Sequence, residues 1–210
     1  MTEIRPVIVD YEAGNVRSVI RAVESLGYQP IISNDPSTIS NADSIIFPGQ
    51  GACDAAMASI KRNRLSDAIY ESITNGTPYL GVCLGLQLLL QKSEEGNVDC
   101  LGILPGEVKR LPAGEKIPHM GWNNVQIHSE HPVFAGIPQN SHFYFVHSFY
   151  ADLQSTPFSA ATVHYGIEFC CAVANGNLVA TQFHPEKSGG LGLQIYKNFL
   201  EFAENVKFVQ

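Results

Sequence analysis

A cysteine stands at the junction of two apolar runs in Pro78-Tyr79-Leu80-Gly81-Val82-Cys83-Leu84-Gly85-Leu86-Gln87, with a glycine two positions away on either side. A strand that turns sharply into a helix presents such a side chain at the helix N-terminus, as a nucleophile elbow. A thiolate attacks a carbonyl well, whereas a free thiol at neutral pH is mostly protonated. The dipole and unpaired N–H groups of the helix starting near Leu84 favour the thiolate. Far along the chain, at the end of another apolar run, comes His184-Pro185-Glu186. The proline biases His184 toward extended geometry at a strand mouth. His184 is the candidate that assists the thiolate and later protonates a leaving amine. Glu186 orients the imidazole if the chain bends through His-Pro-Glu. Together the three residues point to a cysteine–histidine–glutamate hydrolytic site. The elbow by itself leaves open proteases, esterases and thiol enzymes of many kinds.

Taken singly, a cysteine is more often a small buried hydrophobe, and a strand-end histidine more often structural. The combination of elbow and His-Pro-Glu reverses that balance. Cys53 is the rival nucleophile, since it follows a glycine-rich turn at a helix start, but no elbow precedes it. A developing oxyanion needs donors. The N–H of Leu84, the residue after the elbow nucleophile, is one. The turn Pro48-Gly49-Gln50-Gly51 offers the other at Gln50, because flanking glycines let a backbone amide turn toward a ligand.

These residues need a scaffold of strands ending together. Val7-Ile8-Val9 reads as a buried strand, followed by a helical face of Val16, Val19, Ile20, Val23 and Leu26 closed by Gly27. Pro30-Ile31-Ile32 and Ser44-Ile45-Ile46-Phe47 are further strands. A helical stretch over roughly residues 53 to 74, broken near Arg62-Asn63, precedes the strand that leads to Cys83. This β-α-β-α-β order predicts an α/β fold: a mostly parallel central sheet with helices on both faces. The second half is strand-rich and antiparallel, with strands at 107–111, 124–128, 142–147 and 160–164. Asn175-Gly176-Asn177 marks a hairpin between Phe169–Ala174 and Leu178–Phe183. Leu191, Ile195, Phe199 and Phe202 give the closing helix an apolar face. No repeat, low-complexity tract or linker interrupts residues 1–210, so a single domain is expected.

The composition is that of an ordinary globular domain, with 45% hydrophobic and 16% charged residues. A net charge of −7 argues against a nucleic-acid surface. The apolar stretches are too short to cross a membrane. Met1-Thr2-Glu3-Ile4-Arg5-Pro6 lacks the features of a signal peptide. The five cysteines show no C-x-x-C pair and no metal-like spacing with histidine, which predicts reduced thiols in a cytoplasmic protein with no metal or cofactor. Cys170 and Cys171 are neighbours on one strand and should point to opposite faces.

The segments Gly81-Val82-Cys83-Leu84-Gly85-Leu86-Gln87 and Phe183-His184-Pro185-Glu186-Lys187-Ser188 resemble the two signatures of class I (triad) glutamine amidotransferases. Within that class, further segments resemble the family of glutaminase subunits of imidazole glycerol phosphate synthase. These are Asp10-Tyr11-Glu12-Ala13-Gly14-Asn15, Pro48-Gly49-Gln50-Gly51-Ala52 with Ala56-Met57, Phe143-Tyr144-Phe145-Val146-His147-Ser148 and, most specifically, Lys116-Ile117-Pro118-His119-Met120-Gly121-Trp122-Asn123. The match spans essentially the whole chain.

The resemblance implies a flavodoxin-like fold and hydrolysis of glutamine to glutamate and ammonia through a thioester. It also implies a heterodimer with a (β/α)₈ cyclase subunit, to which the ammonia passes internally. The products there are imidazole glycerol phosphate, on the path to histidine, and an aminoimidazole carboxamide ribotide. Carried over residue by residue, Cys83 is the nucleophile, His184 the base and acid, and Glu186 the orienting carboxylate. Gly51, Gln87, Glu95, Ser148 and Phe149 fall where the family holds glutamine. Trp122, Asn123 and Lys187 fall where it faces the cyclase. Glu95 suits an α-ammonium and Gln87 polar groups of the substrate. Two positions depart from the family pattern. Gln50 replaces a small apolar residue, often valine, and Cys53 an aromatic. The competing readings are another class I amidotransferase, serving anthranilate, GMP or pyridoxal phosphate synthesis, and a catalytically silent regulatory relative. The Lys116–Asn123 segment argues against the first, and the intact Cys83/His184/Glu186 set against the second.

Overall fold

The structure is a computed structural model that describes residues 4–12, 16–153 and 157–209. The Met1-Thr2-Glu3 start of the N-terminal segment and Ala13-Gly14-Asn15 of the first-strand loop lie outside the described residues. In chain order the elements are β1 (Pro6–Val9), α1 (Val16–Ser25), β2 (Ile31–Ser33), α2 (Pro36–Ser40), β3 (Ser44–Phe47), α3 (Cys53–Arg62), α4 (Leu65–Thr74), β4 (Tyr79–Val82) and α5 (Leu84–Gln87). Then come β5 (Lys92–Ser93), β6 (Val98–Asp99), β7 (Glu107–Arg110), β8 (His119–Ile127), β9 (Ser141–His147), β10 (Phe149–Asp152), β11 (Ser159–Tyr165), β12 (Ile167–Asn175), β13 (Leu178–Thr181) and α6 (Gly189–Val209).

Strands β2, β1, β3, β4 and β13 lie side by side in that order, all parallel. This is a doubly wound α/β sheet, and its alternating side chains feed two cores. Ile8, Ile46, Leu80 and Val179 pack on one face with Val19 and Val23 of α1 and Ile195 and Phe199 of α6. Val7, Ile45, Tyr79 and Ala180 pack on the other with Met57 and Ile60 of α3 and Ile69 of α4. Cys171 and Cys170 divide between the same two cores. Beyond β13 the network is largely antiparallel: β12 pairs with β13, β10 and β11, and the β8–β9 ribbon attaches through β11. The Gly176-Asn177 turn joins β12 to β13, with Gly176 at φ 57°.

Two local expectations need correction. Trp122 and Asn123, outside the strand expected at 124–128, lie within β8, which begins at His119. Its glycine and polar residues resemble a turn, yet every residue from His119 to Val125 pairs with β9. The helix after Cys83 is also a single turn. The carbonyls of Leu88, Leu89 and Leu90 accept from the backbone N–H groups of residues 101–104 and so leave the helical ladder.

Candidate active site

Three adjacent parallel strands, β3, β4 and β13, end on one edge of the sheet, and each delivers one part of the site. Ligands of doubly wound sheets bind at these carboxyl ends. Past β4, Cys83 takes φ 53° and ψ −102°, a left-handed conformation that costs a non-glycine residue energy. Its N–H donates to Thr181 O at 2.6 Å, and its carbonyl accepts from Leu86 and Gln87 N–H. Gly85 permits the sharp turn, since a Cβ there would stand 2.3 Å from Phe47 O. The loop past β3 is equally tight. A Cβ on Gly49 would meet Leu84 Cβ at 2.4 Å, and Gly51 sits at φ 108°.

Past β13, His184 is extended, as its proline dictates, with φ −102° and ψ 97°. Its N–H donates to Tyr144 O at 2.9 Å. A 3-10 turn over Pro185–Lys187 folds Glu186 back, and His184 Nδ1 lies 2.7 Å from Glu186 Oε1. Ser188 clamps the turn: its hydroxyl donates to His184 O at 2.7 Å and accepts from Tyr144 N–H at 3.0 Å. The other ring nitrogen, Nε2, is enclosed without an aligned hydrogen bond, and its side chain interacts with Cys83. Burial works against charging His184, but Cys83 and Glu186 outweigh it and raise the imidazole to about 10.

A cavity of about 350 Å³ opens over these residues. It brings together Cys83 and His184 with Gly51, Gln87, Glu95, Ser148 and Phe149, the expected glutamine positions, and with Gln50 and Leu84, the expected oxyanion donors. Lys187 also lines it, and its ammonium lies 6.0 Å from the Tyr144 ring centroid. Glu95 is fixed at the wall by accepting the Cys53 N–H at 2.9 Å. Leu84 N–H opens a helical turn and has no intrahelical acceptor. The Gln50 amide lies on the side of the Tyr11 hydroxyl, which itself has no aligned partner.

Gln87 is buried, and both hydrogens of its amide are engaged inside the protein. Nε2 donates to Phe149 O at 2.8 Å and to Gln182 Oε1 at 3.0 Å. The backbone carbonyl can only accept, so it fixes the orientation of the whole chain of amides. Gln182 therefore turns its NH₂ toward Cys83, with Nε2 3.5 Å from Sγ. The sequence reading missed Gln182. Its signal was a glutamine inside an apolar strand run, one step from Phe183-His184.

Cys53 is fully buried and donates to Gln87 Oε1 at 3.7 Å. Contact with Cys100 and burial push its thiol far up, so the rival of Cys83 is held protonated. His147 also lines the cavity but is committed elsewhere. Its Nδ1 lies 2.8 Å from Phe149 O, and its Nε2 lies 2.9 Å from His119 Nδ1. A carbonyl accepts only, so His147 donates there and accepts from His119. Burial lowers His147 to about 3 and His119 to about 4, which keeps both neutral.

Trp122 and Asn123 lie outside the cavity on β8. Trp122 is 56% exposed and Met120 60%. Across the ribbon Met120 pairs with Val146, and Trp122 with Tyr144. Val146 belongs to the cavity wall, so this apolar face runs up to the cavity mouth. Asn123 donates to His164 O at 3.0 Å. Among the described residues no helix is long and apolar enough to cross a membrane.

A profile of the family Glutamine amidotransferase class-I matches residues 7–202. The chain is 47% identical over 197 residues to imidazole glycerol phosphate synthase subunit HisH of Dehalococcoides mccartyi strain CBDB1, covering 93% of this chain and 96% of that one. It is 48% identical over 203 residues to the HisH subunit of Methanosarcina barkeri, covering 95% and 99%. Among solved structures, PurLQS from Thermotoga maritima superposes with a TM-score of 0.76 at 18% identity, covering 96% of this chain and 99% of that one. The glutaminase domain of Trypanosoma brucei CTPS, with bound acivicin, gives 0.66 at 18% identity, covering 96% and 94%. The two structural likenesses establish the fold, and the sequence matches establish the lineage: the chain belongs to the class I glutamine amidotransferases, in the family of HisH subunits of imidazole glycerol phosphate synthase.

Proposed function

We propose that this chain is the glutaminase subunit of imidazole glycerol phosphate synthase, working in a cytoplasmic heterodimer with a cyclase subunit. The observation that carries the reading is the cavity in which an elbow cysteine meets a carboxylate-bound histidine. Glu95 pairs with the α-ammonium of glutamine, and Gly51, Ser148 and Phe149 complete the glutamine pocket. Gln87 has spent its N–H groups inward, so it contributes through Oε1 and through the position it gives Gln182.

The Cys83 thiolate attacks the side-chain amide carbon of glutamine, and the oxyanion takes the N–H of Leu84 and of Gln50. As the C–N bond breaks, His184 protonates the leaving ammonia and a thioester remains. Acylation neutralises the sulfur, so one of the two partners that held His184 protonated is lost. The imidazole is then free to act as a base on the water that releases glutamate. Glu186 keeps the ring in place throughout through its contact with Nδ1. The exposed Met120–Trp122 face, with Lys187 and Asn123 beside it, supplies the docking surface for the cyclase at the cavity mouth.

The pH dependence follows from the raised histidine. A group whose affinity for a proton is raised keeps that proton below the shifted value, here about 10. Acylation is expected to persist into the mildly alkaline range and to fall as the pH rises through that value. A pH profile of single-turnover acylation checks this, and a fall centred near the ordinary histidine range contradicts it. The functional reading itself is tested by supplying the purified chain with the cyclase and its phosphoribulosyl-formimino substrate. Glutamine-dependent formation of imidazole glycerol phosphate is the expected result. Activity with an anthranilate or GMP synthesis partner instead, or with none, sinks the reading.

A further inference from the structure

Two polar atoms lie enclosed behind the triad without an aligned hydrogen bond, Glu186 Oε2 and Tyr196 Oη. One is a carboxylate acceptor and the other an O–H donor. Tyr196 stands on α6, which packs against the Pro185–Lys187 turn, and it is completely buried. Its hydroxyl faces the Glu186 carboxylate across this packing. The first oxygen of Glu186 is already engaged by His184 Nδ1. A buried carboxylate oxygen without a donor is costly, and this hydroxyl is the donor at hand.

We propose that Tyr196 is a positioning residue for the hydrolytic site: its hydroxyl donates to Glu186 Oε2 and holds the carboxylate against His184. The inference rests on the roles given above to His184 and Glu186. A second cavity, also of about 350 Å³, lies behind Glu186 and is bounded by Ser18 and Arg21 of α1 and by Gly189 and Leu193 of α6. A Glu186 side chain released by Tyr196 has room there and a cation, Arg21, to turn toward. That rotation breaks the contact with Nδ1. The titratable groups facing the pair are Cys83 and His147 from the His184 side, and Tyr196 and Arg21 from behind. Loss of the hydroxyl therefore removes a support of the His184 imidazolium while leaving the glutamine pocket intact.

The test is Tyr196→Phe in the complex with the cyclase. The change deletes one oxygen and keeps the ring among its core neighbours Ile195 and Phe199. Glutamine hydrolysis is expected to lose roughly tenfold in kcat, the order of one hydrogen bond, with KM for glutamine unchanged. The alkaline limb of the pH profile should move to lower pH, and the downfield Nδ1 proton resonance of His184 should weaken. An unchanged kcat and resonance overturn the proposal. So does a variant that only melts earlier, because a merely structural tyrosine leaves the resonance and the pH limb alone. The resonance needs no turnover: if the wild-type complex does not hydrolyse glutamine, the catalytic reading fails while Tyr196 is still judged on that signal. If Tyr196→Phe does not fold, fluorotyrosine at 196 preserves shape and alters donor strength. The His184 resonance must then move, and an unmoved one overturns the proposal.

Discussion

Cys83→Ala is expected to lower glutamine hydrolysis by roughly 10⁴-fold or more, because removing the nucleophile of a unit that acts together forfeits nearly all its catalysis. No neighbouring thiol can take over. Cys53 lies on the Gln87 side, fully enclosed and held protonated. The small alanine disturbs little else, since the elbow is held by the backbone bond from residue 83 to Thr181 and by the glycines around it. The complex with the cyclase should therefore keep its ammonia-dependent synthesis at the wild-type rate. Measured side by side, glutamine-dependent and ammonia-dependent product formation must separate. Loss of both together marks a folding or assembly defect and not the removal of a nucleophile.

The second large effect concerns the partner. Adding the cyclase with its ligand is expected to raise glutamine turnover by about 10²-fold, the order of one oxyanion donor. In the isolated chain the Gln50 amide lies toward the buried Tyr11, which is not part of the cavity lining, while Leu84 N–H opens a helical turn with no intrahelical acceptor. The hole is thus half assembled. Gly51 at φ 108° gives the turn rotational freedom, and the close approach of Gly49 to Leu84 limits the motion to the peptide at Gln50. Gln50 and Val146 share the cavity wall, and Val146 pairs with Met120 on the exposed face. A partner seated on that face can shift the turn only through its different affinity for the two arrangements. Steady-state glutaminase assays with and without the partner measure the ratio. Equal rates contradict the coupling.

The parts of the site written in contiguous sequence were legible. The elbow needs a cysteine between glycines because the turn leaves no space for side chains, and His-Pro-Glu folds onto itself within one 3-10 turn. Four of the five parallel strands announced themselves as short apolar runs of the alternating first half, whereas β13 was legible only as one arm of a hairpin and its parallel pairing with β4 was not. Pairings across the fold were not legible. Gln182 reaches Cys83 only because β13 lies beside β4, and Tyr196 comes to face Glu186 only because α6 packs on the Pro185–Lys187 turn. Strands β5 and β6 have two residues each, too few for any pattern. The start of β8 is hidden in the sequence because His119 and Asn123 look like turn residues, whereas their polar atoms are satisfied by His147 and His164. His147 and His184 are equally histidines in sequence. The carboxylate partner of His184 is written beside it in His-Pro-Glu, but only the fold shows that His147 is committed to a carbonyl and a second histidine.

The central claim is that Cys83, activated by His184, is the one thiol that attacks glutamine. Its most direct measurement is labelling of the complex with a glutamine-analogue electrophile, followed by peptide mass mapping of all five cysteines. A single adduct on Cys83, blocked by excess glutamine and lost in His184→Ala, is the result this account predicts. An adduct on Cys53, or labelling of Cys83 that His184→Ala leaves untouched, contradicts it.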